Sequence, residues 1–305
     1  MYTIEMDQVN KSYDHFVAVD NLSFNIEQGS VFGLLGPNGA GKTSSIRMMI
    51  GITAPDSGAI RVFGEPFERK CLQKIGYLPE ERGLYKKMKM LDQLIFLGEL
   101  HGMTSGNARQ QAIEWCHRLE ISEKLNNKVE ELSKGMQQKI QFIAALLHEP
   151  DLIIMDEHFS GLDPVNAALL MDTLIDLRKQ GKTILFSTHR MDQVEKICDA
   201  IALISRGHLV LSGGMREVKS RYPRNRIQVS FEGDDSFLHH PSVETAKNYG
   251  GQADIKLHGM NGAGPDAQPL LSAAIQRGTR ITRFEVMEPT LEEIFIETVG
   301  ENVDA

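Results

Sequence analysis

Residues 36–43 read Gly36-Pro37-Asn38-Gly39-Ala40-Gly41-Lys42-Thr43, with Ser44 next. This is the pattern G-x-x-x-x-G-K-[ST], and each part of it has work to do around a polyphosphate. Glycines let backbone N–H groups turn inward with no Cβ in the way. A helix starting near Gly41 points its partial positive end at the same anion. The Lys42 ammonium reaches the β- and γ-phosphates, and the Thr43 hydroxyl ligates Mg²⁺. A second group of chemical residues follows the apolar stretch 152–155, which runs straight into Asp156-Glu157. Two acids at the end of a buried strand stand at the carboxyl edge of a parallel sheet, where α/β folds bind ligands. There Asp156 holds the Mg²⁺ shell, and Glu157 orients and polarises an attacking water. On its own this pattern also fits a solvated strand end. The phosphate loop upstream favours the functional reading.

Elements of two kinds are needed to place these residues. Continuous apolar runs at 29–35, 152–155, 183–187 and 201–204 read as strands buried on both faces. Helical spacing lies between them, with Ala108, Ala112, Trp115 and Leu119 on one stripe and Met136, Ile140, Ile143 and Leu147 on another. Asp163-Pro164 caps and opens a helix that runs to about Arg178. Strands alternating with helices imply a parallel sheet covered on both faces. Tyr2, Ile4 and Met6 alternate, as do Leu22, Phe24 and Ile26, and both segments read as half-buried antiparallel strands. The pattern changes between 213 and 226. Beyond it come a strand at 227–231, a loop at 259–264, a helix at 269–277 and a strand at 280–286. A final helix carries Thr290 and Glu293 as a capping box.

The 305 residues are 41% hydrophobic and 24% charged, ordinary values for folded chains. A net charge of -8 argues against a nucleic-acid groove as the main working surface. Cys71, Cys116 and Cys198 match no metal-ligand spacing and read as core thiols in a reducing compartment. The first residues show no basic stretch followed by an apolar run, so no export signal is expected. No apolar stretch approaches the roughly 18 residues needed to span a bilayer. Service to a membrane therefore requires a partner that crosses it.

Leu132-Ser133-Lys134-Gly135-Met136-Gln137-Gln138 opens the helix before the paired acids. It resembles the signature of the ABC transporter ATP-binding subunits, usually LSGGQ. The departures are Lys134 and Met136. Ser133 is an N-cap and Gly135 permits close backbone approach. The resemblance implies that this helix start contacts the γ-phosphate on a second copy in a head-to-tail dimer. Tyr13 stands where the family stacks an aromatic on adenine. The run 160–163, ending in Asp163, resembles the loop along the dimer interface. His189, after a core strand and Thr188, resembles the switch histidine that senses γ-phosphate. Glu80 occupies the slot of a glutamine that reports Mg²⁺ and γ-phosphate to the membrane subunit, and a carboxylate there can also ligate Mg²⁺. His158 stands where proline usually follows the catalytic glutamate. The basic run Arg82, Lys86, Lys87 and Lys89 falls in the region that faces the permease, and also fits a solvated charged face.

The resemblance covers about residues 2–217. It implies an α/β fold: a P-loop NTPase core of ABC type with an N-terminal antiparallel β layer, a helical subdomain at about 88–148, and a small C-terminal α+β domain at 218–305. The implied activity is hydrolysis of ATP with Mg²⁺. The implied partners are a second copy of the chain and a separate integral-membrane permease, with no nucleic acid and no direct insertion in the bilayer. The implied place is the cytoplasmic face of the cell membrane, reached through that permease. The run Pro-Glu-Glu-Arg-Gly-Leu-Tyr and the segment from Pro289 to Phe295 resemble a prokaryotic sodium-extrusion and drug-export subgroup. Two other readings are a soluble ABC ATPase of repair or translation and a P-loop kinase for a small molecule. The first usually carries a coiled-coil insertion or two cassettes, and the second has no use for Ser133 or Asp163.

Overall fold

The structure is a computed structural model that describes residues 1–81, 83–157, 163–258 and 267–300. The chain forms two compact units, Met1–Gly214 and Met215–Ala305. The first runs β1 (Tyr2–Tyr13), β2 (Phe16–Glu27), β3 (Val31–Leu35), α1 (Lys42–Met49), β4 (Ser57–Val62), β5 (Glu65–Pro66), β6 (Ile75–Leu78), α2 (Met90–Leu100), α3 (Ser105–Arg118), α4 (Lys134–Leu146), β7 (Leu152–Asp156), α5 (Pro164–Lys179), β8 (Thr183–Thr188), α6 (Met191–Ile197), β9 (Ala200–Ser205) and β10 (His208–Gly214).

Two sheets make this unit. The six-stranded one has the order β10-β9-β3-β8-β7-β6, parallel except for β10. Its strands β3, β7 and β8 are buried at every position, as continuous apolar runs require. The antiparallel sheet β2-β1-β4-β5 turns Ile4, Met6, Val9, Leu22, Phe24 and Ile26 inward. These side chains meet Phe32 and Leu34 of β3, Ile46 of α1, Leu152 and Ile154 of β7, and Leu185 of β8 in one core. Burying each such side chain contributes about 1.5–3 kcal/mol. The strand before the phosphate loop and the helix after it are thus tied to the same core.

Helices α2, α3 and α4 pack on one another within the expected helical subdomain. On α3 the buried stripe is Ala108, Ala112 and Cys116, continued by Leu119. Trp115, expected on that stripe, is only half-buried, with the Arg118 guanidinium 5.1 Å over its ring. Small side chains let the helices approach, and the indole is left at the rim under a cation. All three cysteines are free and buried. Burial pushes the Cys116 thiol up to about 12 and raises that of Cys198 as well, so both stay protonated.

The second unit runs α7 (Met215–Ser220), β11 (Arg226–Glu232), β12 (Val243–Asn248), β13 (Gln252–Leu257), α8 (Gln268–Gln276), β14 (Arg280–Met287) and α9 (Leu291–Gly300). Its antiparallel sheet has the order β12-β13-β11-β14. Ile227, Val229, Phe231, Ile255, Leu257 and Leu270 fill its core. Thr290 and Glu293 exchange the two capping bonds at the start of α9, at 3.1 and 3.3 Å. The hairpin β12–β13 was not expected from the sequence, because β12 exposes nearly every residue and carries no apolar alternation. The loop expected at 259–264 lies outside the described residues, as do Arg82, His158 and residues 160–162.

Candidate nucleotide-binding and catalytic site

The phosphate loop joins β3 to α1, and distant backbone presses on it from both sides. Gly36 has φ +153, and a Cβ there would stand 2.1 Å from the Ile204 carbonyl oxygen. Gly41 has φ +106, and a Cβ there would stand 2.4 Å from the Ala18 carbonyl oxygen. The Gly207 N–H donates to the Ala40 carbonyl at 3.0 Å, and the Asp20 N–H donates to the Gly207 carbonyl at 2.9 Å. Gly41 is the N-cap of α1 and supplies no side-chain cap. The first N–H groups of that helix are thus left for an anion. Pro37, Asn38 and Gly39 are exposed, Ala40 is buried, and Thr43 and Ser44 are half-buried.

Lys42 is 6% exposed, and its Nζ donates to the carbonyls of Gly36 at 2.8 Å and Pro37 at 3.1 Å. It also lies 3.3 Å from Glu157 Oε1. That approach is off the hydrogen-bonding direction, because Oε1 is buried and accepts no hydrogen bond. The pair holds by charge alone. Removing one member of such a buried pair costs about 3–5 kcal/mol, because the other charge is left uncompensated. Glu157 itself has φ +51, a left-handed conformation that residues other than glycine seldom adopt. Such strain persists where the surroundings impose it, and it gathers at functional sites. Here the Glu157 N–H donates to the Ser187 carbonyl at 3.0 Å.

The other carboxylate oxygen, Oε2, lies 2.9 Å from His189 Nδ1 and 3.5 Å from Thr188 Oγ1. An ionised Glu157 only accepts, so Nδ1 carries the proton and Nε2 is left free of that bond on a half-exposed ring. Asp156 is 1% exposed, and its Oδ1 accepts from Ser187 Oγ at 2.9 Å. The register of β7 against β8 places these two residues opposite each other. Burial pushes the nearby Tyr77 phenol up to about 12, with the Asp156 charge adding to the effect.

The structure thus brings Lys42, Glu157 and His189 together, with Asp156 beside them on β7. Tyr13 ends β1 and is exposed, with Lys11 Nζ 5.6 Å from its ring centroid. Glu80 is exposed beyond the end of β6. Ser133 is the N-cap of α4, accepting from the Met136 N–H at 3.3 Å, and Gly135 is half-buried on the first turn. Asp163 caps α5 by accepting from the Asn166 N–H at 3.0 Å, and its bonds to Asn166 hold its carboxyl below the usual carboxylate range. Among the described residues, none of these five makes a hydrogen bond to the loop. Sequence reasoning missed Ser187 and Gly207. The signal for Ser187 was a hydroxyl near the end of an apolar strand. That for Gly207 was the Arg206-Gly207 turn between two strands.

The profile of the family described as "ABC transporter" matches residues 19–160. A second, described as "ATP-binding protein DrrA1-3-like, C-terminal domain", matches residues 213–299. An uncharacterised ABC transporter ATP-binding protein of Bacillus subtilis, YhaQ, is 43% identical over 97% of this chain and 98% of its own. The linearmycin resistance ATP-binding protein LnrL of the same organism is 32% identical over 97% of this chain and 98% of its own. A solved ATP-binding subunit of an ABC transporter superposes with a TM-score of 0.67 at 26% identity, covering 72% of this chain and 92% of its own. The chain belongs to the ATP-binding proteins of the ABC transporters, a family of ATPases.

Proposed function

We propose that the chain powers export through a separate integral-membrane permease, by ATP-driven head-to-tail pairing of two copies. The observation that carries this reading is Glu157, only 9% exposed and held between the loop lysine and a histidine. It stands in a unit whose second helix start, at Ser133, makes no hydrogen bond to its own loop among the described residues. Export rests on the likeness to the Nod factor export ATP-binding protein I of Paraburkholderia xenovorans, 38% identical over 69% of this chain and 70% of its own. Each site joins residues 36–43 of one copy to Ser133 and Gly135 of the other, with Tyr13 beneath the adenine and Asp163 along the interface.

The residues present suit a magnesium ion. Thr43 offers a hydroxyl, Asp156 a buried carboxylate, and Glu80 a further one at the strand edge. Bound there, the ion would neutralise charge on the phosphates. Triphosphate entering the loop draws Lys42 from the Gly36 and Pro37 carbonyls. Glu157, released from that charge, accepts the proton of the attacking water, and His189 holds the carboxylate in place. Permease contact falls to an apolar groove of about 400 Å³ that includes Ile52, Leu72, Tyr77, Leu84, Leu97 and Ala144. No helix among the described residues is long and apolar enough to cross a membrane.

Glu157→Gln tests this directly. It keeps the shape of the side chain and removes the base, so turnover falls by about 10²-fold or more while ATP affinity is retained. ATP-bound dimer then accumulates in sedimentation experiments. Turnover at the parent rate overturns the role given to Glu157.

A further inference from the structure

The sheet of the second unit has two edges of different character. At one, β12 is six residues long and has Val243 as its only large apolar side chain, with Glu244 already held by Lys256 at 2.7 Å. At the other, β14 is eight residues long and pairs on one side with β11. Among the described residues, no strand pairs with its other side. None of its residues is buried, and Val286 is 47% exposed. Beyond a bulge between Ile281 and Arg283, the regular part of this edge carries Phe284, Val286 and Met287 and is a template for another strand.

The charges on the edge select the strand. Arg283 and Glu285 lie two residues apart and form an exposed pair on one face. Phe284 and Val286 lie opposite Val229 and Ile227, so they share the face of the core. Antiparallel pairing of β14 with itself keeps core side chains on the core face only if the symmetry axis passes through a residue; a slip of one exchanges the faces. An axis at Arg283 sets Arg283 against its own copy, and one at Glu285 sets Glu285 against its own copy. Like charges directly opposite are destabilising. An axis at Phe284 sets Arg283 against Glu285 twice and Phe284 against Phe284, all within the regular stretch that pairs with residues 226–230 and clear of the bulge between Ile281 and Arg283. Of these three central axes, the one at Phe284 alone sets unlike charges opposite.

We propose that β14 pairs antiparallel with β14 of a second copy, centred on Phe284, and joins two C-terminal sheets into one of eight strands. This contact needs no nucleotide. It deepens the pairing proposed above by holding two copies together between turnovers, and it is tested without ATP so that the two ideas fail separately.

The full chain without nucleotide sediments as a dimer. Arg283→Glu and Glu285→Arg each place like charges opposite in both symmetric pairs, so each variant self-associates about tenfold more weakly or worse. An equimolar mixture of the two variants restores opposite charges at every pair and recovers the dimer, as does the double variant within one chain. Recovery on mixing also shows that both variants are folded. The proposal is overturned if the parent chain is monomeric without nucleotide. It also fails if either single variant dimerises like the parent, or if folded variants stay monomeric when mixed.

Discussion

At Gly36 and Gly41 an added methyl group meets a backbone carbonyl, whereas at Gly39 it meets nothing within 4 Å. The three positions share a sequence motif and positive φ, yet they carry different loads. Gly39→Ala suffers only the left-handed backbone cost of about 1–2 kcal/mol, which lowers the melting temperature of the first unit by a few degrees. Gly36→Ala must also move Ile204 or the loop, a cost of roughly 3 kcal/mol or more. It also displaces the Gly36 carbonyl that holds Lys42. Calorimetry and nucleotide titration on both variants check this order. Equal losses in the two would mean that the loop's shape is not set by the strands behind it.

Two helix ends meet where His101, the C-cap of α2, stacks on His148 just beyond α4, with ring centroids 3.9 Å apart. His148 Nε2 lies 3.1 Å from the Ile75 carbonyl and so donates to it, which leaves Nδ1 unprotonated and buried without a partner. Burial is the main cause that brings His148 from 6.5 down to about 4, with His101 and Lys182 adding and the Ile75 carbonyl opposing. The folded state therefore binds this proton less readily than the unfolded chain. Its stability contribution is full above pH 6.5 and is lost as pH falls towards 4. After allowance for solvent, about 1–2 kcal/mol is lost over that window. His148→Phe keeps the stack and removes the titration, so urea unfolding should show a flatter dependence on pH between about 6.5 and 4.5. An unchanged slope would assign the titration to other groups. Elements differ in how plainly the sequence shows them. The strands β3, β7 and β8 are legible because burial on both faces makes their central residues continuous apolar runs, with the polar residues at their ends. The hairpin β12–β13 is not, because the edge strand β12 packs only Val243 against the core and exposes the rest. In the site, Lys42, Glu157 and His189 are readable from motif and position. Ser187 beside Asp156, and the carbonyls of Ala18 and Ile204 against the loop, depend on a register that no local pattern encodes.

Among the described residues, Ser133 and Gly135 of one copy make no hydrogen bond to the loop of that copy, and this shapes what the whole molecule does. Under head-to-tail pairing, each site draws its loop from one copy and Ser133 from the other. Lys42→Ala spoils the loop, and Ser133→Arg fills the space the γ-phosphate needs at the helix start. Each variant alone has two spoiled sites per dimer and is inactive. In a mixed dimer the two lesions fall in the same site, and the other site is intact. Random pairing makes half of all dimers mixed, so an equimolar mixture regains about a quarter of the parent ATPase activity per chain. Activity should also rise faster than linearly with protein concentration in the dilute range. If the mixture stays inactive at every ratio while both variants remain folded, the site does not assemble from two copies. If Ser133→Arg alone turns over ATP at the parent rate, the signature helix has no part in the chemistry.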